Sequence, residues 1–118
     1  MPRDDVTHFL PLTPQLLHTL LALADGEKHG YAITKEIARR TDGTVRIGAG
    51  TLYALIKRAL ADGLIVESDE RPDPHLDDER RRYYGLTPRG RRVAAAEIAR
   101  LESIIAMARA KKLRPEKA

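Results

Sequence analysis

Two clusters of cations carry the chemistry that this sequence offers. Lys57 and Arg58 are adjacent, and helical spacing brings Gly50 and Ala54 to the same side, with Thr51 and Tyr53 on its borders. That set suits a polyanion. Ammonium and guanidinium groups reach phosphates or the acceptor edge of guanine, hydroxyls donate beside them, and small residues let the backbone approach. Arg80, Arg81 and Arg82 follow one another farther along, so in an extended strand Arg81 faces away from Arg80 and Arg82. Lys35, on the outer side of an earlier predicted helix, completes the set. Each cation also has a plainer reading. Lys57 or Arg58 alone would be a solvated helix residue, and the arginine triplet would be a stem neutralised by Asp77, Asp78 and Glu79, worth about 1 kcal/mol or less.

Other chemistries are poorly supplied. The 118 residues include no cysteine, which removes disulfides, thiolate metal sites and thiol nucleophiles together. His8, His18, His29 and His75 lack the spacing that converges on a metal, so neither metal nor cofactor is expected. There is no glycine-rich phosphate loop and no nucleophile with a base at motif spacing, which argues against an enzyme. The net charge is +4, but Glu67 to Arg82 carries a local −3 and leaves +7 to the remainder. Seven carboxylates in that segment would oppose a phosphate backbone, so its tip is expected to point away from one or to be mobile. No apolar run approaches the ~18 residues of a membrane span, and the start lacks the layout of a secretory signal, so a cytoplasmic, membrane-free protein is expected.

The elements that must position these residues can be read in order. Thr13-Pro14 joins a hydroxyl cap to proline at the first helical position, and Leu16, Leu17, Leu20, Leu21 and Leu23 form an apolar face that ends at Asp25-Gly26. A second helix is predicted from Gly30 to Arg40, with Ile33, Ile37 and Ala38 inward and Asp42-Gly43 as its stop. Thr44 to Ile47 is β-branched and predicts a brief strand. The third helix, from Ala49 to Asp62, turns Leu52, Leu55, Ile56, Ala59 and Leu60 inward, and Gly63 ends it. Leu64 to Ser68 and Arg80 to Leu86 predict a hairpin, because Pro72 and Pro74 interrupt any ladder between them. Thr87-Pro88 starts a last helix that meets no breaker before Pro115.

Helix, helix, helix, hairpin, helix is the order of a winged helix-turn-helix. The expected fold is therefore mainly α with a small β-hairpin, plus one long C-terminal helix. The expected organisation is an N-terminal arm over 1–11, a winged helix-turn-helix DNA-binding domain over 12–87, a dimerisation helix over 88–112 and a basic, disordered tail over 113–118. In such a fold the third helix enters the major groove of double-stranded DNA. On the last helix Ala94, Ile98, Leu101, Ile105 and Ala108 recur at spacings of four and three, a seam that packs helix on helix. A helix of about 25 residues outruns a small domain, which favours a homodimer over a seam folded back on its own domain. The competing reading is a winged-helix protein-interaction module without DNA binding, favoured by the acidic hairpin.

His29-Gly-Tyr-Ala-Ile33 with Glu36-Ile37, Gly50-Thr-Leu-Tyr-Ala-Leu55 leading into Ala61-Asp-Gly-Leu-Ile65, and Arg82-Tyr-Tyr-Gly-Leu-Thr87 with Gly90-Arg91 occur in order. Together they resemble the PadR family of regulators from Leu12 to about Ala108. The short tail resembles the subgroup with a single C-terminal helix, which implies a homodimeric transcriptional repressor. Some members respond to aromatic compounds or hydrophobic drugs, so the resemblance implies a small-molecule effector. Two departures stand out: Gly48-Ala49 replaces the family's frequent serine-proline pair, and the hairpin loop is longer and more acidic. With no tryptophan, and Phe9, Tyr31, Tyr53, Tyr83 and Tyr84 spread along the chain, core packing is the expected role of most aromatics, and no aromatic-lined pocket is predicted.

Overall fold

Both threonine-proline pairs start helices, and each threonine does so through its hydroxyl. The computed structural model describes residues 5–68 and 82–116. Thr13 accepts the Leu16 N–H at 3.2 Å and opens α1 (Pro14–Ala22), a cap worth about 1 kcal/mol. A two-residue strand β1 (Lys28–His29) leads into α2 (Gly30–Arg40), which is capped by His29 Nδ1 accepting the Ala32 N–H at 3.1 Å. Then follow α3 (Ala49–Ala61), β2 (Ile65–Ser68), β3 (Tyr83–Leu86) and α4 (Pro88–Ala110).

The hairpin is part of an antiparallel three-stranded sheet in the order β1-β3-β2. Lys28 lies opposite Tyr84, and Ile65 opposite Leu86. The sequence reading missed β1, which ties the turn before α2 to the wing. Thr44 to Ile47 is no strand. Asp42 and Gly43 turn the chain at φ of 51° and 78°, and the Thr41 hydroxyl accepts the Val45 N–H at 3.1 Å, so a polar turn consumes the groups a ladder would need. The β-branched character of this segment instead places Ile47 in the core, where it is buried. The second wing strand starts at Tyr83; the predicted strand residues Arg80 and Arg81 lie outside the described residues.

Leu20 and Leu23 of the α1 region, Ile33 and Ile37 of α2, and Leu52 and Ile56 of α3 fill one core, closed by Leu64, Tyr84 and Val93. The N-terminal segment is packed too, since Val6, Phe9 and Leu10 lie against that core. Where α3 hands over to α4 the backbones touch. Thr87 donates its N–H to the Leu64 carbonyl at 3.1 Å and its hydroxyl to the Gly63 carbonyl at 2.6 Å, while accepting the Gly90 N–H at 2.9 Å. A β-carbon on Gly90 would stand 2.0 Å from the Leu64 carbonyl oxygen, so only glycine fits there.

α4 divides into two halves. In the first, Val93 and Ala94 are buried in the protomer's own core, so Ala94, read from the sequence as part of the seam, is already covered. Glu97 is also fully buried. Its carboxylate accepts the Leu12 N–H at 2.9 Å and a second bond from Arg100 Nη2 at 3.1 Å, pinning the helix to the segment just before α1. From Ile98 onward the apolar side chains come into the open, and Ile104, Ile105 and Met107 are 46%, 49% and 59% exposed.

Gly90→Ala is expected to destabilise the fold by about 1–3 kcal/mol or more, read as a lowered Tm, because the neighbour it meets is backbone and cannot rotate aside. Glu97 gives a pH signature. The hydrogen bonds from Arg100, then the Leu12 N–H, hold its carboxyl below the ordinary value of 4.5 against the opposing effect of burial. Its contribution is therefore complete above that value and is lost as pH falls through the lower folded one. Urea unfolding followed from about pH 7 to 3 should show an acid-side loss of stability that is smaller in Glu97→Gln.

Candidate nucleic-acid interface

The α3 periodicity divides the helix as read from its sequence. Leu52, Ile56 and Ala59 are buried, while Lys57, Arg58 and Ala54 point to solvent. Gly50, Thr51 and Tyr53 are exposed at its start, so every residue singled out on this helix is open to solvent. Arg58 is 81% exposed and its Nε lies 3.3 Å from Asp62 Oδ2 one turn later; Lys57 has no ion-pair partner among the described residues. An exposed i,i+4 pair of this kind contributes little and exchanges readily for a phosphate.

Gly50 has no internal reason to be glycine. A β-carbon there would meet nothing within 4 Å, and its φ is not in the left-handed range. Gly48, the N-cap, is equally open and offers no side-chain cap. As the second residue of α3, Gly50 thus meets no packing constraint within the protomer.

The other predicted cations are placed differently. Lys35 on α2 holds its Nζ 5.2 Å from the centre of the exposed Tyr31 ring, a cation–π contact. Arg82 is exposed but donates to Glu67 Oε1 at 2.9 Å across the hairpin, a different carboxylate from the Asp77, Asp78 and Glu79 expected to neutralise this cluster. Arg80, Arg81 and the carboxylates from Asp69 to Glu79 lie outside the described residues. Among the described residues no group of three or more His, Cys, Asp or Glu side chains could hold a metal ion. No described helix is long and apolar enough to cross a membrane.

The sequence reading did miss a groove. The start of α2, the start of α3 and β3 converge around a cavity of about 400 Å³ lined by His29, Tyr31, Tyr53 and Tyr84, with Arg82 at one side. The four rings come from positions 55 residues apart at the extremes and are brought together by the pairing of β1 with β3 and the packing of α2 on α3, so the expectation of no aromatic-lined pocket is overturned. His29 stacks near Tyr31 and meets Tyr83 edge-on at 5.5 Å. Burial, and secondarily the Glu67 carboxylate, pushes the Tyr84 phenol above its usual value and keeps it protonated.

Helices α1 to α3, the three-stranded sheet and the outward cationic helix define a winged helix-turn-helix protein. The Transcriptional regulator PadR-like family model matches residues 19–96, and the chain belongs to that family. It is thus a transcriptional regulator and not an enzyme. It is 39% identical to Transcriptional regulator Rv3488 of Mycobacterium tuberculosis over 75% of this chain and 76% of that protein. A transcriptional regulator from Clostridium thermocellum is similar in structure, with a TM-score of 0.66 and 25% identity over 90% of this chain and 96% of the other. Bacillus subtilis PadR, solved in complex with operator DNA, shares the fold at a TM-score of 0.61 and 20% identity, over 73% of this chain and 48% of that one.

Since Gly50 stands clear of its own protomer, Gly50→Ala should leave thermal stability unchanged or raise it by about 0.4–1 kcal/mol. A fall in Tm would show that the position has an internal packing role.

Proposed function

We propose that this chain is a cytoplasmic, sequence-specific repressor that binds a palindromic operator as a homodimer, and that a small hydrophobic or aromatic effector releases it. The carrying observation is the solvent-facing side of α3, where Lys57 and Arg58 stand beyond an unencumbered Gly50 and Ala54. In this reading α3 lies in the major groove, its small residues admit the backbone, and Lys57 and Arg58 reach phosphates or guanine edges. Thr51 and Tyr53 donate beside them. Lys35 and Arg82, with Arg80 and Arg81, contact the flanking phosphates, Arg82 after exchanging Glu67 for DNA. The operator complex of Bacillus subtilis PadR supports the use of this fold on DNA.

Dimerisation rests on the second half of α4. Ile98 and Ile105, with Leu101 and Ala108 between and beyond them, form an apolar stripe that continues past the protomer's own core. A second copy of the helix is the occupant this reading assigns to it, and Ala94 enters only at the inner end of the seam. Two recognition helices held this way would read half-sites about 34 Å apart, one turn of the duplex.

Selection of binding sites from random DNA, followed by titration at two salt concentrations, tests the reading. Affinity should fall steeply with salt, whereas an interaction module without DNA binding would select no sequence. Lys57→Ala and Arg58→Ala should each weaken binding, by about 1–3 kcal/mol where a base is read or with a salt slope smaller by about 1 where a phosphate is held. Fold and dimer should survive, and unchanged binding in both variants would remove α3 from its role. Leu101→Asp or Ile105→Asp should yield monomers on gel filtration, because each places a charge in the seam.

A further inference from the structure

The groove beside the reading face is built unlike a surface meant only for phosphates. Its floor is apolar, since Ile47, Leu52 and Ile56 are 7%, 4% and 3% exposed. The Tyr84 ring, 5% exposed, completes that floor from the sheet. On the rim Tyr31 and Tyr53 are 64% and 60% exposed, large rings that the core has not absorbed. The cation at the mouth, Arg82, pairs with Glu67 at 2.9 Å in the free protomer, so the apolar floor and the aromatic rim dominate the lining. A concave site of about 400 Å³, with apolar floor, aromatic rim and few polar groups, falls in the size and chemical range of small-molecule sites.

We infer that this groove is the binding site of a flat, uncharged aromatic molecule, and that such a molecule and DNA exclude each other. The exclusion follows from shared residues: Ala49 and Tyr53 line the groove and are also exposed on α3, and Arg82 lines the groove from the hairpin. A ring seated against Tyr53 occupies space that a DNA strand tracking along the start of α3 needs. Release would therefore be direct competition at the reading face, with no change in the dimer. This regulation rests on the DNA-binding reading above; the binding site itself does not.

N-phenyl-1-naphthylamine, an uncharged aromatic whose fluorescence rises in apolar surroundings, is the probe. It is titrated into the full-length protein, into Thr34→Trp, which fills the groove from α2, and into Tyr31→Ala, which removes part of its rim. As a control for the open half of α4, it is also titrated into Ile104→Asn. Probe affinity should fall at least tenfold in Thr34→Trp and about fivefold in Tyr31→Ala, and stay within twofold in Ile104→Asn. With wild-type protein the apparent Kd for the selected DNA should rise linearly with probe concentration, and gel filtration should show no change of assembly. Equal probe affinity in both groove variants, with circular dichroism confirming that they fold, would overturn the site. Simultaneous binding of probe and DNA would overturn the competition. If no DNA is bound at any salt concentration the DNA-binding reading fails by itself, and the groove variants still decide the site.

Discussion

The carbonyl oxygen of Leu64 lies where a side chain on residue 90 would have to begin, and this contact fixes the direction in which the last helix leaves the domain. Thr87 closes the same joint with three hydrogen bonds, to Gly63, Leu64 and Gly90. Because only Asp62 separates α3 from Gly63 and Leu64, α3 and α4 are coupled through a few residues of backbone. A rotation at this joint would swing one helix relative to the other. Glu97 adds a second pin two turns on, where a buried carboxylate holds the Leu12 N–H and the Arg100 guanidinium. Arg100 is partly exposed while Glu97 is buried, so loss of Arg100 would leave a buried carboxylate held by the Leu12 N–H alone.

From this joint the functional surfaces follow in sequence. The inner half of α4 is consumed by the core, the outer half is left apolar and open, and the exposed side of α3 keeps a fixed orientation to that open stripe. Two copies joined along the stripe would inherit a fixed distance between their reading faces. The sheet contributes the third surface. Pairing β1 with β3 draws the start of α2 against the wing, and the aromatic groove forms where those two meet the start of α3.

Much of this could be read from residue order because its signals are local. The caps at Thr13 and Thr87, the stop at Gly63 and the inward Ile33 and Ile37 each depend on neighbours within about one turn. The open side of α3 was legible for the same reason: burial of Leu52 and Ile56 at helical spacing leaves the opposite residues outside. What escaped depends on distant partners. β1 is two residues long and exists through Tyr83 and Tyr84 far along the chain, and without it the four aromatic residues do not suggest one groove. Glu97 reads as a solvated charge until Leu12 is brought beside it. Ala94 fitted the seam by period, yet its depth in the domain is set by the Gly90 contact. Thr44 to Ile47 had strand composition, but the Thr41 hydroxyl claimed its backbone first.

The claim that joins these parts is that the open half of α4 pairs with a second copy and thereby sets the spacing of the two α3 faces. Pulsed electron resonance between nitroxides attached at Ala61 in the two protomers, a position exposed at the end of α3, measures that spacing in solution. The account predicts a single narrow distance, set by recognition helices about 34 Å apart and the offset of each label from its helix centre, that changes little when DNA is added. Absence of any distance between protomers, or a broad distribution that DNA does not narrow, would contradict it.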